Sequence, residues 1–159
     1  INYMDEIIVF TDGSYMKNVK GGEKSGYGIY FPNGELKNIG RPFTHKPLTN
    51  QRAELYAIFK ALYYITTELN VKRIKIYTDS EYSLKSMTIW IKNWKRNNWK
   101  TAAGKPVKNL DIIHNIDDIM QNFKGKIEFH HVNSHTGNQD NFSIWNDEAD
   151  KLAKEGAFK

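Results

Sequence analysis

The sequence predicts one α/β domain built on a mixed sheet, and three observations carry that reading. Short apolar runs beside turn residues, Ile7-Ile8-Val9-Phe10 and Tyr27-Gly28-Ile29-Tyr30-Phe31, have the composition of buried strands. A helix-period segment over 50–68 leads to Arg73-Ile74-Lys75-Ile76-Tyr77, which alternates with the period of a strand. A strand reached through a crossover helix favours a parallel, right-handed connection. With 159 residues, 40% of them hydrophobic, the chain can build one good core, and positions 1–159 are read as a single domain.

Taken in order, the first strand ends at the turn-like Thr11-Asp12-Gly13-Ser14. Residues 17–25 are rich in Gly and Lys and read as a loop. Tyr27 to Phe31 forms a second strand, Pro32-Asn33-Gly34 a turn, and 36–43 a third strand, together an antiparallel meander. In the 50–68 helix Leu55, Ile58, Phe59, Leu62 and Ile65 recur on one face, with Ala57 and Ala61 allowing close packing. The fourth strand ends at Thr78-Asp79-Ser80. One or two helices fill 80–98, a loop spans Thr101 to Pro106, and 110–123 is helical by its Leu110, Ile113, Ile116, Ile119, Met120 and Phe123 pattern. Ile127 to Val132 is a last strand, and 146–156 a terminal helix with Gly156 near its C-cap.

Composition narrows the function. The absence of Cys excludes disulfides and thiolate metal sites and fits a reducing compartment. No apolar stretch approaches membrane-spanning length, and Ile1-Asn2-Tyr3-Met4-Asp5-Glu6 lacks a secretion-signal pattern, so a cytoplasmic or nuclear location without membrane attachment is expected. Net charge is +5 and the isoelectric point about 9.2, which favours a polyanionic partner. The basic charge is concentrated. Between Glu81 and Asp111 there is no acid, while Lys85, Lys92, Lys95, Arg96, Lys100, Lys105 and Lys108 are interleaved with Trp90, Trp94 and Trp99. Cations neutralise phosphates and flat rings pack on sugars or bases, although Trp can equally anchor a solvated helix to the core.

Four acids stand out. Asp12 and Asp79 end two strands that would lie side by side, where paired carboxylates are tolerated chiefly around a cation or a shared proton. Glu54 is placed in the first turn of the long helix and Asp150 early in the last one. Each has a plainer alternative. Asp12 suits a turn, Glu54 complements a helix dipole, Thr78, Asp79 or Ser80 can cap a helix, and Asp147 and Glu148 compete with Asp150.

Five motifs follow one another along the chain: Thr11-Asp12-Gly13-Ser14, Asn50-Gln51-Arg52-Ala53-Glu54-Leu55, Thr78-Asp79-Ser80-Glu81-Tyr82, Val132-Asn133-Ser134-His135-Thr136-Gly137 and Asn146-Asp147-Glu148-Ala149-Asp150-Lys151-Leu152-Ala153. Together and in this order they resemble type 1 ribonuclease H, with the basic protrusion of its cellular and bacterial members. The resemblance covers essentially the whole chain and implies a ribonuclease H-like fold, a five-stranded mixed sheet of order 3-2-1-4-5 flanked by helices. It further implies a monomeric endonuclease that hydrolyses the RNA strand of RNA/DNA hybrids to 5′-phosphate and 3′-hydroxyl ends. By the same resemblance Asp12, Glu54, Asp79 and Asp150 hold two Mg²⁺ ions, with Mn²⁺ able to substitute, and His135 is a further catalytic residue that moves protons or aids product release.

The resemblance also implies a substrate channel. Asn18, Asn50, Gln51 and Ser80 match RNA-contacting positions, whose amide and hydroxyl groups suit the 2′-hydroxyl. Trp90 and Trp94 would pack on deoxyribose, Thr49, Arg52 and Asn109 would hold a DNA phosphate, and Tyr82 would extend that channel. Three departures stand against the pattern: Pro47 replaces a common basic contact, the stretch from His135 to Asn146 is longer than usual, and no separate hybrid-binding domain precedes the catalytic one in this sequence, so low processivity is expected. A strand transferase on a related sheet is the rival enzymatic reading, opposed by the Asn50-to-Glu54 signature and the protrusion. A hybrid-binding module without catalysis is opposed by the presence of all four acids.

Overall fold

The computed structural model describes residues 3–133 and 140–159. Five strands, β1 (Tyr3–Val19), β2 (Gly22–Tyr30), β3 (Ile39–Pro42), β4 (Asn70–Thr78) and β5 (Lys126–His131), form one sheet of order β3-β2-β1-β4-β5. β2 is antiparallel to both β1 and β3, and β4 is parallel to both β1 and β5. Helices α1 (Asn50–Glu68), α4 (Leu110–Asn122) and α5 (Asn141–Gly156) pack around it. The α/β fold and the 3-2-1-4-5 order expected above are those observed.

Alternation along β1 sorts its side chains between two layers. On one face Ile7 and Val9, paired with Ile74 and Ile76, join Ala53, Leu55, Ile58, Ala61, Leu62 and Ile65 of α1, and α4 adds Ile112, Ile113 and Ile116. On the other face Phe10 stacks on Tyr77 with ring centroids 4.8 Å apart, and Phe142 and Trp145 of α5 cover the pair. Thr49 caps α1 by accepting from the Arg52 N–H at 3.1 Å.

Several boundaries differ from expectation. Thr11-Asp12-Gly13-Ser14 is no turn. β1 runs straight through it, because β2 pairs with residues 10–16 and supplies the hydrogen bonds a turn would have made itself. Residues 17–25 are likewise mostly strand, forming the end of the β1–β2 hairpin. β3 is limited to Ile39–Pro42. Residues 80–98 fold as α2 (Glu81–Lys85), one π-type turn over Ser86–Trp90, and α3 (Ile91–Arg96). α5 starts at Asn141, five residues earlier than expected, because the Asp140 carboxylate caps it by accepting from the Ser143 N–H at 2.9 Å. Asp150 is therefore mid-helix. Glu54, the fifth residue of α1, lies just past the first turn.

Glycines set the depth at which α5 sits on the sheet. A Cβ at Gly28 would lie 2.3 Å from the Ala149 carbonyl oxygen, and one at Gly26 2.2 Å from that of Ala153. Helix backbone cannot yield to such contacts without moving as a unit. Gly28→Ala should therefore destabilise the fold by about 1–3 kcal/mol, the usual cost of overpacking, read as a lower urea midpoint with an unchanged slope.

Candidate active site

The four acids reach one cleft from four elements. Asp12 projects from mid-β1 and Asp79 follows the last residue of β4, one step beyond the Thr11–Thr78 pair of the parallel ladder. Glu54 rises from α1 over Gly13. A Cβ at Gly13 would fall 2.4 Å from the Glu54 backbone nitrogen, so only glycine lets the helix come this close. Asp150 comes from α5. The cleft, about 320 Å³, is lined by Asp12, Gly13, Asn50, Glu54, Asp79, Ser80 and Asp150.

Carboxylate oxygens of Asp12, Glu54 and Asp79 all lie within 4.8 Å of one another. Asp12 and Glu54 are only 4% and 3% exposed. The Gly13 N–H donates to both the Asp12 Oδ1 and the Glu54 Oε1. Among the described residues no Lys or Arg pairs with Asp12, Glu54 or Asp79, whereas Asp150 Oδ2 lies 3.0 Å from Lys154 Nζ. Burial, reinforced by the neighbouring charges of Glu54 and Asp79, pushes the Asp12 carboxyl up to about 12. Burial also raises Glu54, to about 8, against the lowering effect of its hydrogen bonds to Asp12 and Gly13. Buried oxygen donors crowded together without a protein cation fit a hard divalent metal ion.

The cluster has one supporting side chain that the sequence reading passed over. Asn146 of α5 is wholly buried, and its Nδ2 donates to Asp79 Oδ2 at 3.4 Å. It precedes Asp150 by one helical turn in the same motif, which was the available signal. The arrangement can hold a cation and orient Asp79 toward it.

The expected substrate contacts among the described residues fall into four places. Asn50 and Ser80 line the acidic cleft, with the half-buried Gln51 beside Asn50, and Ser80 also caps α2. Thr49, Arg52, Tyr82 and Asn109 meet nearby. Asn109 Nδ2 donates to the Tyr82 hydroxyl at 2.9 Å and its Oδ1 lies 3.5 Å from Arg52 Nη1. The Arg52 guanidinium is 5% exposed and already committed, with Nη1 and Nη2 donating to Asp111 at 2.9 and 2.8 Å and Nε and Nη2 to the His45 carbonyl. Asp111 was not foreseen as its partner. Trp90 and Trp94, with ring centroids 6.1 Å apart, line a groove with Asn93, Asn97, Lys100 and Ala102. Trp99 instead turns inward onto His114 at 4.4 Å. Asn18 is exposed near the tip of the β1–β2 hairpin, away from the other amides. His135 lies outside the described residues.

The RNase H family model matches residues 4–158. A protein of Acanthamoeba polyphaga mimivirus described as a probable ribonuclease H is 44% identical over 142 residues, which are 88% of this chain and 61% of that protein. A ribonuclease H of Psychromonas ingrahamii is 37% identical over 155 residues, covering 97% of this chain and 92% of its own length. The chain spans about half the length of its fission yeast, mouse and human relatives. Among solved structures, the foamy viral protease-reverse transcriptase in complex with RNA/DNA hybrid superposes with a TM-score of 0.78 at 24% identity, over 96% of this chain and 20% of that one. At that identity the likeness is one of fold.

The raised carboxyls fix a pH trend. A proton held more tightly in the folded state stabilises the fold fully below the unfolded value and ceases to do so as pH rises through the folded one. For Glu54 that window runs from 4.5 to about 8. Thermal melts in a chelator should lose stability across it, and Glu54→Gln should flatten this part of the profile.

Proposed function

This chain belongs to the RNase H family, and we propose that it is an endonuclease that hydrolyses the RNA strand of RNA/DNA hybrids. The observation that carries the reading is the convergence of Asp12, Glu54, Asp79 and Asp150 from β1, α1, the end of β4 and α5 on one cleft. All four come from a single chain, which supports a monomeric enzyme. Two divalent ions, Mg²⁺ with Mn²⁺ as substitute, would be held by these carboxylates and would supply an activated water and stabilisation of the leaving 3′-oxygen.

The residues around the cleft divide the remaining work. Water attacks the scissile phosphorus, the bond to the 3′-oxygen breaks, and the products are 5′-phosphate and 3′-hydroxyl ends. Asn146 holds Asp79 in orientation through its amide. His135 is assigned to proton movement at the phosphate during turnover or product release. Asn50, Gln51 and Ser80 flank the acids where the RNA 2′-hydroxyls would pass, and Asn18 would meet the same strand further along.

The exposed Trp90 and the half-buried Trp94 line a groove with Lys100 and would take the DNA sugars, with Tyr82 continuing the surface. Thr49 and Asn109 would receive a DNA phosphate. Arg52, its donors occupied by Asp111 and His45, would contribute by holding Asn109 and by its charge. The absence of a basic residue at Pro47 leaves this phosphate site with fewer cations of its own.

The direct test is incubation with labelled RNA/DNA hybrid, duplex DNA and duplex RNA. Cleavage of the RNA strand of the hybrid alone, requiring Mg²⁺ or Mn²⁺, is expected, and intact hybrid would refute the activity. Asp79→Asn should abolish turnover while leaving hybrid binding largely in place. Asn146→Ala should lower activity or metal affinity by about 10–100-fold, the usual effect of removing an outer partner of a metal ligand.

A further inference from the structure

The β1–β2 hairpin reaches well beyond the sheet that carries the acids. β4 pairs with β1 only as far as Thr11, and β3 pairs with β2 only up to Gly26. From Ser14 and Gly26 outward the two strands form a ribbon with no flanking strand, closing at Val19 and Gly22. At 3.3 Å per residue the tip is about 23 Å from Asp12 along the strand, the length of about seven phosphates spaced at 3.4 Å.

The tip is basic. Lys17 and Lys20 are exposed, and Lys24 runs back along the turn, its Nζ 3.8 Å from where a Gly21 Cβ would stand. Gly21 and Gly22 have φ of 95° and 97° and Asn18 has 55°, so the turn is tight and its backbone is shaped by residues that tolerate the left-handed region. The one nearby acid, Glu23, accepts from the Tyr15 hydroxyl at 2.5 Å on the ribbon itself. No ion pair or cation–π contact engages any of the three lysines among the described residues. By contrast, Lys95 of the Trp-rich segment is occupied by Asp117 at 2.7 Å.

We propose that Lys17, Lys20 and Lys24 form a distal phosphate-binding site that grips the backbone of a bound hybrid several base pairs from the acidic cleft. The proposal rests on the hybrid substrate inferred above and adds to it a second handle, separate from the Trp90–Trp94 groove. Three unpaired ammonium groups on a two-stranded arm bind by charge and carry no sequence preference. Longer hybrids are therefore held more tightly than those that fill only the cleft.

The test is hybrid binding at several salt concentrations in an Asp79→Asn background, with and without K17Q/K20Q/K24Q, on hybrids of about 18 and about 6 base pairs, only the longer of which reaches the tip at 3.4 Å per step. The glutamine variant should bind the long hybrid more weakly, with the slope of log affinity against log salt shallower by about one for each phosphate that the lysines no longer neutralise. It should match its parent on the short one, and the arginine triple variant should restore the slope. Equal affinity and slope on the long hybrid would overturn the proposal, as would an equal weakening on both lengths, which would place the effect in the fold or the cleft. A chain with Asp79 intact that neither binds nor cleaves hybrid would overturn the functional reading itself, and that result is visible before any hairpin variant is made.

Discussion

Mutual repulsion among carboxylates is the constraint on which this structure depends. Asp12, Glu54 and Asp79 bring their oxygens within 4.8 Å of one another, with Asp12 and Glu54 buried beneath the half-buried Asp79. Charges of one sign so placed cannot all persist without a counter-ion, and burial drives protons onto Asp12 and Glu54 in the absence of metal. The fold tolerates the cluster because each acid is anchored by an element secured elsewhere in the core. The same tension suits the cleft to a hard cation, whose binding would displace those protons and so depend on pH.

Close backbone packing is what allows the convergence. Gly13 admits the N-terminal part of α1 to the sheet and donates its N–H to Glu54, while Gly26 and Gly28 seat α5 so that Asn146 and Asp150 arrive at the same depth. A larger residue at any of these positions would hold a helix off the strands. Depth matters here because carboxylates can share a cation only where their oxygens lie close together.

Polar and aromatic surfaces spread from the cleft. The Thr49–Arg52–Asn109–Tyr82 cluster joins the start of α1 to α4 and α2 by hydrogen bonds, and the basic hairpin extends β1 and β2 beyond Asp12. Arg52 shows how context reassigns a side chain. Its charge sits beside Asn109, proposed above as a phosphate contact, yet its donors are directed to Asp111 and the His45 carbonyl, which ties it into the scaffold.

The sequence by itself determined the class of fold, the elements with strong periodicity and the identity of the acids. Apolar period and motif order are local properties, and they survive without knowledge of partners: the core face of α1 and the alternation of β4 were legible for that reason. Tertiary structure decided what depends on neighbours. Asp12-Gly13 has turn composition, but β2 supplies ladder partners and the strand continues; residues 17–25 have loop composition, but each half finds the other. Asp140 extends α5 to cover Phe10 and Tyr77, which no local pattern foretold. Asn146, Asp111 and the glycine contacts were hidden for the same reason: hydrogen bonds and close approaches between residues 41 or more positions apart are set by packing, and packing has no one-dimensional signature.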